Sequence, residues 1–467
     1  MRQYLFILGL VGTALFTACS SADDLVKTEI PSQGLTEEEK ALIVEAGQDS
    51  DVPITLGTVA NSRAMTRTPI EPEIGTTLFT TPANQYLGVF CLAQGKQAGA
   101  PSIVPDDGNI LWNSSDYAMW LNNVPAIVSK HTASTVSPID GGFSLDYSYV
   151  QFMKDIDSSP AVKIYYYPFG NWYYYDFYAY YPRQASGNVW VGQGRVVVSY
   201  TITGKEDIIW ARAIGGTSVT DPVTSNSVKS YSAKYMRLSK EDLDGNGSPD
   251  HTEFEVVPGL AFDHKLTQFV FSVKPHFEDR VELNTKGYRV TKMEVIDVYN
   301  QLELYAADKT GGDHGALKIK NLSTTDNILV RNTDGSDDLD DTPTPVIVAT
   351  DGDAAATDVA GITTKEIGYA LLPTSDMLTA AGYTNQYLVS IEMEQKDETG
   401  KYPGEDGYSG DPVPNTIVTL PLPTGGKYEA GKKYSITLEI YNPTNIQATA
   451  TLVGWGDPVV IPAIPVE

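Results

Sequence analysis

The chain has 467 residues, with 33 Lys plus Arg against 59 Asp plus Glu and a formal charge of -26. That balance argues against nucleic acid and against electrostatic docking on anionic lipid, because both need cationic patches; it suits a soluble, self-repelling surface. The 40 Gly, 28 Pro and 28 Tyr, among many Thr and Val, make up the composition of short strands joined by tight turns, and the length suffices for two or three domains.

Met1-Arg2 gives a positive start, and residues 4–16 form an apolar run too short to be a good membrane span. The run ends Leu15-Phe16-Thr17-Ala18-Cys19, which resembles a bacterial lipobox. Residues 1–18 would then be a signal peptide and Cys19 the acylated first residue of the mature chain; an ordinary cleaved signal peptide is the alternative. Residues 20–52 are polar and acidic, a tether or propeptide with room for one short helix at 35–46. Residues 53–60 (PITLGTVA) read as a lone strand. The stretch 61–69 is a basic, unstructured spot in an acidic chain, where proteases cut at exposed Arg. Arg63 and Arg67 are both candidates. Pro69 close behind Arg67 favours the bond between Arg63 and Ala64.

From 78 to about 255, strand signals recur at 86–92, 144–152, 163–167, 173–181, 189–202 and 208–213, separated by Gly, Asn, Asp and Pro turns. Residues 165–181 read YYYPFGNWYYYDFYAYY. Tyr173, Tyr175, Phe177, Ala179 and Tyr181 share one face, and Tyr174, Asp176, Tyr178 and Tyr180 the other, which is the period of a β-strand. Pro168 and Gly170-Asn171 predict a turn before it, so 163–167 is expected as its hairpin partner. One aromatic face belongs in a core. The outer tyrosines, Tyr174, Tyr178 and Tyr180, are a candidate contact surface for a neighbouring domain, a subunit or a glycan. Cys91 lies in a buried-strand pattern and is expected to be an inert core thiol; with Cys19 as the other cysteine, no intramolecular disulfide is expected.

Residues 242–253 (DLDGNGSPDHTE) match a calcium loop. Asp242, Asp244, Asn246, Asp250 and Glu253 offer side-chain oxygens, Ser248 a carbonyl, and Gly247 stands at the sixth position, where the loop turns sharply. The flanks are strand-like and Pro249 fills a place usually taken by an aliphatic residue. A Ca2+ loop between strands therefore stands beside the plainer reading of a solvated Asp/Gly turn. A second set of strands follows at 259–274, 288–305, 316–320, 344–349, 366–372, 387–394, 416–420, 432–441 and 448–455, with solvated acidic loops at 334–341 and 351–358. The expected boundary is about 255, giving two all-β, sandwich-like domains over 64–255 and 256–467. The chain ends in PVVIPAIPVE, where Val460, Pro462, Ile464 and Val466 alternate like a groove-filling strand and the prolines suit an edge segment. The histidines 131, 251, 264, 276 and 314 show no zinc spacing, and there is no nucleophile elbow, P-loop or dinucleotide fingerprint; paired carboxylates abound in so acidic a chain and leave a glycosidase open by motif, but nothing positively supports one, and no enzyme is expected.

Several of these strings together resemble the fimbrillin (Mfa1-like/FimA-type) pilins of Bacteroidales. They are the lipobox at Cys19, the strand 53–60 followed by NSRA at 61–64, FYAYYP at 177–182, LAFDHKL at 260–266 with FVFSV at 269–273, YALLP at 369–373, and the closing strands from YEAGKKY at 428–434 to Trp455. The resemblance spans nearly the whole chain; the calcium-like loop and the long acidic loops are not part of it. It implies two transthyretin-like antiparallel sandwiches in tandem, behind a lipoprotein signal and a propeptide over 19–63. It further implies a lipidated (palmitate-bearing) precursor on the outer membrane. An arginine-specific protease would remove everything before Ala64, including the strand 53–60. An emptied strand site is a template for another chain, and the next pilin subunit would supply its C-terminal strand by β-augmentation, giving an extracellular fimbrium. A surface lipoprotein that binds host glycan through the aromatic stretch, without polymerising, is the competing reading.

Overall fold

The computed structural model describes residues 41, 48–58, 86–112, 117–131, 147–154, 162–239, 258–331 and 345–453. The chain is built of strands. In order, the first are β1 (Asp49–Pro53), β2 (Leu56–Thr58), β3 (Leu87–Lys96), β4 (Met119–His131), β5 (Tyr147–Phe152), β6 (Tyr166–Pro168), β7 (Tyr173–Tyr181), β8 (Val189–Gly192), β9 (Arg195–Thr201), β10 (Ile209–Ala213), β11 (Ser218–Thr220), β12 (Ser227–Lys229), β13 (Gly259–Leu260) and β14 (Asp263–His264). An 8-stranded sheet takes the order β13-β2-β5-β4-β3-β7-β10-β14. Its two edges come from one short segment: Gly259 and Leu260 run parallel to β2, while Asp263 and His264 run antiparallel to β10. A sheet whose opposite edges are a few residues apart in sequence must curl until those edges meet, so the arrangement is barrel-like and residues 259–264 close it.

The remaining strands are β15 (Thr267–Pro275), β16 (Arg289–Val298), β17 (Gln301–Asp308), β18 (Ala316–Ile319), β19 (Asp326–Leu329), β20 (Val346–Ile347), β21 (Lys365–Leu372), β22 (Leu388–Glu394), β23 (Thr416–Thr419), β24 (Lys433–Asn442) and β25 (Asn445–Val453). Sheets β21-β15-β24-β25 and β19-β16-β22-β23, the latter with β20 on β16, carry the C-terminal half. β22 and β24 alternate buried and half-buried residues, as strands with one core face should. The two sheets meet in an aromatic cluster: Phe269 on β15 lies 4.7 Å from Tyr428, 5.3 Å from Tyr387 and 6.1 Å from Tyr434, between ring centres. Short helices α1 (Ala233–Leu238), α2 (Arg280–Thr285), α3 (Asp351–Ala354) and α4 (Ser375–Ala380) occupy connections. Each of α1, α3 and α4 starts at a Ser or Thr whose side chain accepts a backbone N–H of the first turn.

Several expectations change. β6 does not pair with β7: it pairs with β1, and β7 is flanked by β3 and β10. The aromatic stretch is therefore not a hairpin, because the Pro168–Gly170 bend carries β6 out of the sheet that β7 enters. The run 189–202 is two strands, turned at Gln193 (φ 50) and Gly194 (φ 73), the left-handed pair of a two-residue hairpin. The solvated loop expected at 351–358 contains α3, closed by a capping box between Thr350 and Asp353. The boundary at about 255 lies outside the described residues, and pairing crosses it: β9 lies on β17, β2 on β13 and β10 on β14. A further sheet, β18-β17-β9-β8, mixes strands from both sides.

Candidate strand-acceptor site

β1 and β2 enter the fold out of sequence order. β1 ends at Pro53, which has no N–H of its own to donate. Ile54 N–H then donates to Tyr165 O at 2.7 Å, and the chain bends into β2. β1 lies antiparallel to β6, with Asp49 opposite Pro168 and Pro53 opposite Tyr166; Phe169 N–H donates to Gln48 O at 2.8 Å. β2 fills the gap between β5 and β13. Leu56 and Gly57 sit opposite Val150 and Tyr149, and Gly57 N–H donates to Pro258 O at 2.9 Å. Ile54 and Leu56, two residues apart, turn the same way into the core, at 4% and 1% exposure. Burying two such side chains contributes roughly 1.5–3 kcal/mol each. At the surface, Asp51 pairs with Arg237 of α1. Of the expected lone strand 53–60, Leu56–Thr58 is β2; a separate strand, β1, precedes it and ends at Pro53, and 59–60 lie outside the described residues.

Without residues 48–58, β5 and β13 would each present a row of unpaired backbone groups, above a floor emptied of two aliphatic side chains. Such a slot accepts an extended peptide with apolar residues at alternate positions. Val150 and Leu260, at 5% and 0% exposure, would become part of its apolar wall.

The aromatic strand β7 lies in the middle of the 8-stranded sheet, and both its faces are covered by the chain itself. Tyr178 and Tyr180 are fully buried, so of the contacts expected for them a subunit or a glycan is ruled out, while Tyr178 meets His314 from the part of the chain after the expected boundary. Tyr178 packs on Trp112 (6.3 Å) and stacks on His314 (5.7 Å, 20°). Tyr180 stacks on Phe90 at 5.9 Å and donates to Asn123 Oδ1 at 2.6 Å. Tyr174 alone keeps partial exposure. Its ring lies over Gly95, where a Cβ would come within 2.4 Å of Tyr174 Oη, and Lys229 Nζ stands 4.8 Å from its centre. Beside it is a pocket of about 590 Å³ lined by Lys96, Gln97, Asp106, Asp107, Ser227 and Lys229. Lys96 Nζ there donates to Val104 O at 2.9 Å. The lining mixes both charge signs.

Asp176, whose side chain the alternating pattern placed on the outer face, is also fully buried. It accepts from Arg212 Nη2 at 2.5 Å and from Gly215 N–H at 2.8 Å. Burial raises its carboxyl above the usual range, against the opposing pull of the Arg212 charge. Burial and the same aspartate push Tyr178 far up. His314 is lowered to about 4 by burial and by Arg212, and its Nδ1 accepts Asp308 N–H at 3.0 Å, which makes it a neutral packing ring. Burial raises the Cys91 thiol well above its ordinary value, as expected of an inert core residue.

The other expected site residues lie outside the described residues: Cys19 for lipidation; Arg63, Ala64 and Arg67 for processing; Asp242, Asp244, Asn246, Ser248, Asp250 and Glu253 for Ca2+; and Val460, Pro462, Ile464 and Val466 for strand donation. Among the described residues no group of three or more His, Cys, Asp or Glu is placed to hold a metal ion. The start of the proposed donor, 448–453, is already committed: it is the second half of β25 and pairs with β24 from Leu438 to Lys433. β25 itself is an edge strand without a charged residue, mostly exposed. The β1–β6 clasp escaped the sequence reading. Its only signal was Val52, Ile54 and Leu56 at alternate positions across Pro53.

No family model and no curated protein matches the chain. Solved structures do align over most of its length. A candidate cell adhesion protein from Bacteroides uniformis is 11% identical over 87% of this chain and 100% of its own, with a TM-score of 0.39. One from Bacteroides ovatus is 12% identical over 87% and 98%, with a TM-score of 0.37. The tip fimbrial protein Mfa3 of Porphyromonas gingivalis, truncated at its C-terminus, is 8% identical over 86% and 100%, with a TM-score of 0.30.

Proposed function

We propose that this chain is a structural or tip subunit of a surface fimbria of the fimbrillin type that contributes to adhesion, and that strand exchange assembles it. The observation that carries the reading is the position of β2. A strand from near the N-terminus fills a gap between β5 and β13, and it precedes the basic stretch 61–69, where a cut would detach it. In this reading Cys19 anchors an acylated precursor on the outer membrane. An arginine-specific protease cuts between Arg63 and Ala64, and residues 48–58 leave. The tail of another subunit, with Val460, Pro462, Ile464 and Val466 at alternate positions, enters the slot. The role is non-enzymatic; the loop 242–253 would take Ca2+ as a structural ion, independent of assembly.

The experiment compares the full chain with one ending at Val453, each treated with an arginine-specific protease and sized by light scattering and electron microscopy. Ordered polymers from the full chain and none from the truncated one are expected. Equal polymerisation of both removes the tail as donor. Failure of the full chain to polymerise after verified loss of 48–58 overturns strand exchange.

A further inference from the structure

Away from the strand-acceptor site, Tyr299 and Tyr383 are arranged for covalent chemistry. Their ring centres are 4.3 Å apart and their planes 37° from parallel. Tyr383 is 36% exposed and Tyr299 half-buried, so a diffusing oxidant reaches the pair. Both backbones are fixed. Tyr299 stands in the two-residue link between β16 and β17, just after Asp297 at φ 58 near the end of β16, and the neighbouring Asn300 carbonyl receives Ile202 N–H at 2.9 Å. Tyr383 follows the C-terminus of α4. There Gly382 adopts φ 84, Gly382 N–H donates to Thr379 O and Tyr383 N–H to Leu378 O, both at 3.0 Å, a Schellman-type cap that stops the chain from swinging. Tyr383 Oη donates to Leu322 O at 3.1 Å, which orients its ring. A hydrogen bond with Tyr383 pushes the Tyr299 phenol up to about 12, so it keeps its proton at neutral pH. By contrast, the tyrosine pairs Tyr428–Tyr434 and Tyr387–Tyr428 lie in the core, at 4% exposure or less.

We infer that Tyr299 and Tyr383 form an oxidative cross-linking site, at which a peroxide-driven haem peroxidase joins them into an intramolecular dityrosine. Each phenol gives up one electron and one proton to the oxidised peroxidase. The two phenoxyl radicals couple through ring carbons ortho to the oxygens, forming one C–C bond. The two hydrogens on those carbons then move to the oxygens as the rings regain aromaticity. Two electrons and two protons leave the protein in all, and they reduce one hydrogen peroxide to two waters. Holding the rings in contact makes the coupling effectively unimolecular, which favours it over coupling between molecules. The product ties the link between β16 and β17 to the end of α4 and closes a long loop of chain, which restricts the unfolded state.

The test uses the full chain at high dilution with a haem peroxidase and hydrogen peroxide, followed by gel filtration of the monomer. The expected monomer shows dityrosine fluorescence, a mass lower by two hydrogen atoms, a raised thermal midpoint, and one cross-linked proteolytic peptide pair containing Tyr299 and Tyr383. Tyr299→Phe and Tyr383→Phe, which keep the ring, should each lose the fluorescence and the peptide pair while retaining the circular dichroism of the parent. Monomer whose dityrosine maps to other tyrosines overturns the inference. So does fluorescence that survives in both variants, or oxidised monomer without the cross-linked pair.

Discussion

Removing a carboxylate from water costs several kcal/mol unless its partners are in place, and Asp176 meets that cost through Arg212 and the Gly215 N–H. Arg212→Ala leaves the charge uncompensated. We expect a loss of about 3–5 kcal/mol in urea unfolding, with Asp176 taking up a proton. Gly88 is fixed by contact rather than by backbone angle: a Cβ there would stand 2.3 Å from Tyr180 Cε1 and 2.4 Å from Asn123 Oδ1. Gly88→Ala should therefore cost about 1–3 kcal/mol by overpacking, read as a lower denaturation midpoint with unchanged slope. Two histidines pull in opposite directions. His314 has a folded value near 4, below its unfolded value of about 6.5, so the fold favours its neutral form. Its contribution is full above pH 6.5 and is lost as pH falls toward 4. For His264, burial lowers the value, but the Asp207 charge overrides burial and raises it; that contribution is present below about pH 6.5 and lost as pH rises through the folded value. Replacing His314 by Phe should flatten the decline of the thermal midpoint between pH 6.5 and 4, while His264→Gln should leave that decline in place.

Among the elements, the strands with clean alternation were legible: β5, β10 and β21 to β24 fall where the periodic runs lie, whereas the single strand expected at 288–305 is two, β16 and β17, in different sheets. β4, thirteen residues long, was missed because Asn122-Asn123 and Pro125 break its pattern. The fold accommodates them with a bulge between Val89 and Cys91, where Asn122 and Asn123 both fall opposite Phe90 and Asn123 takes φ 51. The pairing of β7 was misread for a different reason. Local turn signals say where a chain bends but not which strand it meets afterwards, and β6 finds its partner in β1, more than a hundred residues upstream. The same limit hid the second attachment of residues 48–58. Leu56 is the residue at which that segment is anchored most deeply. Leu56→Ala should cost about 2–5 kcal/mol and speed hydrogen exchange at Gly57 N–H, while the amides of β7 keep their protection.

Across the whole molecule, one set of buried side chains runs from Ile54 to Ile440 without a break between the N-terminal and C-terminal sheets. Trp210 of β10 reaches across to donate to Ala306 O at 2.8 Å, and Leu371 N–H donates to Gly204 O at 2.7 Å. Cutting after Arg63 and washing out residues 48–58 should therefore lower the thermal midpoint of the chain as a unit, and a peptide of that sequence added back should restore it. The closure of the 8-stranded sheet by residues 259–264 also has a kinetic consequence. β2 cannot take its place until β5 and β13 exist, and those lie roughly 90 and 200 residues further along the chain, so its pairing is among the most non-local in the fold and the slowest to be reached. During synthesis, the apolar face of Ile54 and Leu56 waits without a partner while both neighbouring edges stand open. For that interval the newborn chain depends on a holding chaperone or on its own dilution to stay free of other copies of itself.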